Sequence, residues 1–102
     1  MVRPRRCRHV HAEPNVLYFK PAGIRMKELE ETILTMEEFE AVRLKDFLGL
    51  EQEKAAQKMK ISQPTFHRLV LSARQKIADG IVNGKAIRIE GGNYRFIGRN
   101  KK

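Results

Sequence analysis

The stretch from Gly49 to Leu69 constrains this chain most. Lys60-Ile61-Ser62-Gln63-Pro64 interrupts an otherwise helix-friendly run within five positions. A proline inside a helix removes a hydrogen bond and clashes with the preceding turn, but in the first turn its missing N–H has no partner to lose. Ser62, two residues upstream, is a natural N-cap. The spacing therefore predicts two helices meeting at a tight turn. Leu50, Ala55, Ala56 and Met59 give the first helix an apolar side, with small residues where the second must cross closely. Phe66, Leu69, Val70, Ala73 and Ile77 recur at three and four, so the second helix runs to about Val82 before Asn83-Gly84 ends it. Lys60 takes the turn position where glycine is commonest, because the backbone there tends toward positive φ.

The rest of the chain is arranged around that pair. Thr35 and Glu38 have the spacing of a capping box, which predicts a helix from Met36 to Phe47 with Met36, Phe39, Val42 and Phe47 on its apolar positions and Gly49 as its stop. Pro4, Pro14 and Pro21 with Gly23 restrict the first quarter to short extended pieces. Ala86 to Glu90 and Asn93 to Ile97 alternate apolar and polar residues around Gly91-Gly92 and predict a C-terminal β-hairpin, with Ile87, Ile89, Tyr94 and Phe96 packed on the domain or on a second subunit. The expected class is mainly α in one compact domain: a basic arm and extended segment over 1–34, a helical core over 35–84, and a hairpin with basic tail over 85–102. With 102 residues the chain supports a single core and no deep cleft between domains. Val16 to Phe19 is its longest apolar run, far too short to cross a bilayer, and one cysteine, Cys7, allows no internal disulfide. A cytoplasmic protein without membrane association is expected.

Charge adds the functional direction. The 21 Lys and Arg against 12 Asp and Glu give a net charge of +9. Glu28, Glu30, Glu31, Glu37, Glu38, Glu40, Asp46, Glu51 and Glu53 concentrate the acids in one segment, while no acid occurs from Lys54 to Ile77. Such a distribution suggests one face that attracts polyanions and another that they would avoid. The order helix, tight turn, helix is that of a helix-turn-helix, whose second helix lies in the major groove with its N-terminal residues at base edges. On this reading Gln63, Pro64, His67 and Arg68 meet bases, since Gln pairs with adenine and Arg with guanine through two hydrogen bonds. Lys54, Lys58, Lys60, Thr65, Arg74 and Lys76 meet phosphates, which position the protein without reading sequence. A helical hairpin that only packs is the plain structural alternative.

The same residues carry a family resemblance. Leu34 to Ile77, with Gly49-Leu50, Ala55-Ala56, Ile61-Ser62 and Ser72-Ala73-Arg74, resembles the helix-turn-helix of region 4 of bacterial sigma factors. Arg3-Pro4-Arg5, Cys7-Arg8, Phe19 to Gly23, Leu29-Glu30-Glu31, Ser62 to Phe66 and Asn83 to Gly92 resemble uncharacterised protein family 0251, also called domain of unknown function 134, across nearly the whole chain. That resemblance implies the helix-turn-helix fold and a predicted DNA-binding role.

The flanks supply further candidates. Arg3, Arg5, Arg6 and Arg8 make a basic arm suited to a minor groove, or else a solubilising tail. Cys7, His9 and His11 alternate, so an extended strand would turn all three to one side, but a fourth ligand and the paired Cys-x-x-Cys spacing are lacking. No metal, cofactor or catalytic activity is expected from them. The predicted function is therefore double-stranded DNA binding by a transcriptional regulator, as a homodimer suited to symmetric operators, with the acidic segment 28–53 turned from DNA and open to a protein partner. RNA or ribosome association, or a module that docks on RNA polymerase or another protein, are the alternatives from other classes.

Overall fold

The computed structural model describes residues 7–98, the side chain of Met26 excepted. Along the chain lie β1 (Arg8–Val10), β2 (Tyr18–Phe19), a 3-10 turn (Met26–Glu28), β3 (Glu31–Leu34), α1 (Met36–Val42), a π-helical turn (Arg43–Phe47), α2 (Gln52–Met59), α3 (Gln63–Asn83), β4 (Ala86–Ile89) and β5 (Tyr94–Phe96). Helices carry most of the core, and the five short strands form two small sheets around one end of it.

Local chemistry places the helices. The Glu38 amide donates to Thr35 Oγ1 at 3.1 Å and the Thr35 amide donates to Glu38 Oε1 at 2.9 Å, which starts α1 with a complete capping box. The segment predicted as one helix to Phe47 changes pitch at Arg43, where the Leu48 amide donates to the Arg43 carbonyl five residues back. The wider turn swings Phe47 off the buried stripe, and its side chain is 81% exposed. Helix α2 ends on Lys60 at φ 61° and ψ 44°, the only non-glycine residue with positive φ among the described residues. Ser62 then caps α3 by accepting from the Thr65 amide at 3.3 Å, Pro64 sits in the first turn, and Gly84 closes the helix at φ 67°.

Two apolar clusters share α3. Its first half brings Phe66 and Val70 against Ala41, Leu44, Ala55, Ala56 and Met59. Farther along, Ala73 and Ile77 join Val10, Leu34, Met36 and Ile89, with Tyr94 and Phe96 at the margin. Phe66 and Met59 are wholly buried, so α2 and α3 are held at their crossing by side chains on either side of the turn.

The predicted C-terminal hairpin is not formed. Strand β4 pairs antiparallel with β2 (Tyr18 with Arg88, Phe19 with Ile87) and parallel with β3 (Glu31 with Ala86 through Leu34 with Ile89), so both of its edges are occupied. Strand β5 instead pairs parallel with β1, Arg8 opposite Tyr94 and Val10 opposite Phe96. Alternation specifies which face of a strand is apolar, and says nothing about which strand lies beside it. Gly91-Gly92 crosses the start of α1: the Gly91 carbonyl accepts from the Met36 amide at 3.0 Å, and a Cβ on Gly92 would come within 2.8 Å of Glu37 Oε1. The extended arm is likewise shorter than expected. From Arg8 onward the segment contributes strands, and Val10 is fully buried. Arg3, Arg5 and Arg6 lie outside the described residues.

Candidate nucleic-acid interface

The α2–turn–α3 unit presents a continuous polar surface. Gln63, Pro64, His67 and Arg68 are all exposed on the outer side of the first turns of α3, and Leu71 and Gln75 extend the same stripe. On a helix, positions three and four apart share a face, so these side chains emerge together. Behind them Phe66 and Val70 fix the helix in the core. The cap arranges the near end: Ser62 Oγ lies 3.0 Å from Thr65 Oγ1, and Arg68 Nη2 reaches Thr65 Oγ1 at 3.5 Å. Thr65 is thereby half-buried in the cap cluster, while Gln52 Nε2 donates across the turn to the Gln63 carbonyl at 3.5 Å.

Lys54, Lys58 and Lys60 are exposed along α2 and its end, and among the described residues no ion pair involves them or Arg68.

Two of the expected phosphate contacts are engaged elsewhere. Arg74 makes a bidentate pair with Asp46, Nε to Oδ2 at 3.0 Å and Nη2 to Oδ1 at 2.7 Å. That bond holds the Asp46 carboxyl below its ordinary value and raises the guanidinium further. Lys76 Nζ donates to Glu38 Oε1 at 2.8 Å. Both cations clamp α3 to α1 and its π-helical extension. Arg8, assigned to a groove-binding arm, is half-buried and paired with Glu37.

The acidic segment is divided: Glu28, Glu30, Glu31, Asp46, Glu51 and Glu53 are exposed, and the glutamates of α1 are not. Glu37, Glu38 and Glu40 are buried, with Glu40 fully so. Glu40 accepts from Arg43 Nε at 2.8 Å, from Arg43 Nη2 at 3.0 Å and from the His11 amide at 2.9 Å. Glu31 binds Arg88 and the Tyr18 hydroxyl, and those bonds hold its carboxyl low. The glutamates of α1 are thus taken up inside the fold, and the outward charge of segment 28–53 comes from its other acids.

Cys7, His9 and His11 do not assemble into a ligand set. Cys7 Sγ lies 3.4 Å from Asn93 Oδ1, and His11 Nε2 lies 2.8 Å from the Lys58 carbonyl, an acceptor that fixes the proton on that nitrogen. Among the described residues no three His, Cys, Asp or Glu side chains gather at metal-binding distance. Sequence reading missed two features here. Leu71 is 48% exposed in the middle of the polar stripe, and Arg95 stands opposite His9 in the β1–β5 register. The spacing of Leu71 from Pro64, His67 and Arg68 carried the first signal; nothing local carried the second. No helix among the described residues is long and apolar enough to cross a membrane.

A family described as "Protein of unknown function DUF134" matches residues 1–97. A UPF0251 protein from Thermoanaerobacter pseudethanolicus is 60% identical over 102 residues, covering 100% of this chain and 86% of that protein. Another from Caldanaerobacter subterraneus subsp. tengcongensis is 62% identical over 102 residues, with the same 100% and 86% coverage. A third, from Moorella thermoacetica, is 57% identical over 98 residues, 96% of this chain and 66% of that protein. No solved structure matches the chain.

Proposed function

The chain belongs to the DUF134 (UPF0251) family, and from that premise we propose that it is a sequence-specific double-stranded DNA-binding protein, a cytoplasmic transcriptional regulator that sets α3 in the major groove as the second helix of a helix-turn-helix. The observation that carries this reading is the acid-free exposed start of α3, where Gln63, Pro64, His67 and Arg68 leave one face together. Their supports are rigid: Ser62 caps the helix, Lys60 turns the chain in the left-handed region, and Phe66 anchors the opposite side. Preorganisation of this kind lowers the ordering cost of binding.

In this role Gln63 offers one donor and one acceptor to adenine, Arg68 offers two donors to guanine, and Leu71 offers an apolar contact for a thymine methyl. Lys54, Lys58 and Lys60 neutralise phosphates on the flanking backbone. Arg74 and Lys76, held by Asp46 and Glu38, keep the helix in position and leave the duplex to the others. Two copies would read a two-fold operator, each with its own α3 in successive major grooves. The role needs no catalytic group and no cofactor.

Selection of duplexes from fragmented genomic DNA at about 0.2 M salt tests it, because non-specific phosphate binding weakens steeply there. The wild type should recover a shared motif that Arg68→Ala loses or relaxes. Recovery of no motif, or equal competition by structured RNA at matched salt, would overturn the reading.

A further inference from the structure

Beside the turn lies a recess of about 370 Å³ lined by Cys7, His9, Lys60 and Arg95, none of them acidic. Its residues come from three places in the chain. His9 and Arg95 are direct partners in the parallel β1–β5 pair, so both project from the same side of that sheet. The opposite side of the pair, with Val10, Tyr94 and Phe96, faces the core. Lys60 arrives from the end of α2, and its backbone is pinned because its amide donates to the Gln57 carbonyl at 3.1 Å and the Ile61 amide to the Ala56 carbonyl at 3.1 Å. His11 fastens β1 to the same end of α2 through the Lys58 carbonyl. The cations are thus brought together by fixed backbone, and Lys60 lies two residues before Ser62, the cap of α3.

The local potential is positive. Burial pushes the His9 imidazole below its ordinary value, and Arg95, Lys60 and His11 push it further in that direction. Two cations that form no ion pair among the described residues, set beside an imidazole, form a receptor for an oxyanion, with a fork of N–H donors from Arg95 and a point charge from Lys60.

We propose that this recess seats a backbone phosphate of the same duplex whose base edges α3 meets, with Arg95 and Lys60 as the charged contacts and His9 as a hydrogen-bonding wall. The assignment rests on the reading of α3 given above. It makes the β1–β5 pair part of the DNA-binding surface and sets the docking angle of α3 from outside the helix pair, since a phosphate held beside the turn leaves the first turns of α3 in only one register.

The test is the salt dependence of binding to the selected duplex, with Arg95→Gln and Lys60→Gln against Lys20→Gln. Lys20 borders a different groove, next to Gly80, Ile81 and Gly84 at the far end of α3. Each lost phosphate contact should lower the slope of log affinity against log salt by about 0.9. Arg95→Gln and Lys60→Gln should each show that drop and keep the selected motif, while Lys20→Gln keeps the wild-type slope. A wild type that selects a motif, with Arg95→Gln and Lys60→Gln unchanged in slope, overturns the recess and leaves the α3 reading standing. Equal drops in all three variants reduce the effect to net charge and overturn it as well. A wild type that selects no motif overturns the α3 reading, and the recess falls with it. Inorganic phosphate titrated without DNA, followed at the His9 ring protons, should bind only at millimolar concentration. Saturation at micromolar phosphate that duplex does not displace would assign the recess to a free phosphate ligand instead.

Discussion

Helix α1 carries Glu37, Glu38 and Glu40 in its first five residues and buries all three, whereas the first six residues of α3 leave Gln63, Pro64, His67 and Arg68 exposed. Both segments look like solvated charged faces in sequence. The difference lies in which opposite charges the fold brings within reach. Around α1 stand Arg8, Arg43 and Lys76, each paired with one of its glutamates, so its charge is absorbed into the structure. Among the described residues Lys54, Lys58, Lys60 and Arg68 form no ion pair, so the charge stays available to a ligand. A dense run of one sign identifies a polar segment; the pairing decides whether that segment is cement or surface.

The largest effect expected from this contrast is at Glu40. Glu40→Ala strands Arg43 and the His11 amide, and should cost about 3 kcal/mol in urea unfolding, as removal of one member of a buried pair does. A loss below about 1 kcal/mol would return the α1 acids to the class of ordinary surface charges. Arg68→Ala is the mirror case. It should leave stability within about 0.5 kcal/mol and weaken binding to the selected duplex by about 1 to 3 kcal/mol. Unfolding of that variant, with binding lost only in proportion, would move Arg68 to the structural side.

Glu38 falls between them. Burial by itself would raise its carboxyl, but bonds from Lys76, Ser72 and the Thr35 amide prevail and hold it below the ordinary glutamate value of 4.5. Arg74 holds Asp46 low, and Asn83 with Lys85 holds Asp79 low. A carboxyl depressed in the folded state stabilises the fold at pH above its unfolded value, and the contribution fades as pH falls through the folded value. Unfolding free energy should therefore decline from about pH 5 downward. Glu38→Gln should lower stability at pH 7 by about 1 to 2 kcal/mol and flatten the acid decline. An unchanged acid profile would remove Glu38 from the linkage.

The features legible in sequence are those whose partners are near in the chain. The Thr35–Glu38 box, the Ser62 cap with Pro64, the Gly84 stop and the left-handed Lys60 all depend on residues within one helical turn. So does the outward direction of Gln63, His67 and Arg68, once Phe66 and Val70 are placed inward. What was not legible depends on distant partners. Cys7 and Asn93 meet across 86 positions, so the β1–β5 pairing left no local trace, and the alternation after Ala86 read as a hairpin. Arg74 and Asp46 lie 28 positions apart, and Lys76 and Glu38 lie 38 apart, so the two cations read as free. Helical periodicity places a side chain outward without revealing whether another element has met it there.

The smallest expected effect gives the sharpest separation of cement from surface, because one residue takes part in both. Lys60 occupies φ 61° and ψ 44°, a backbone conformation that costs a side-chain-bearing residue about 1 kcal/mol relative to glycine. Lys60→Gly should therefore raise unfolding stability by about 1 kcal/mol and at the same time weaken duplex binding at low salt through the lost cation. Lys60→Ala removes the cation but keeps the backbone cost, so it should bind as poorly as the glycine variant without its gain in stability. If both variants bind like the wild type, the turn is purely structural and the cationic recess loses one of its two charges. If binding falls in both while stability rises only in the glycine variant, the lysine is retained at the expense of the fold, and the turn between α2 and α3 belongs to the surface that meets DNA.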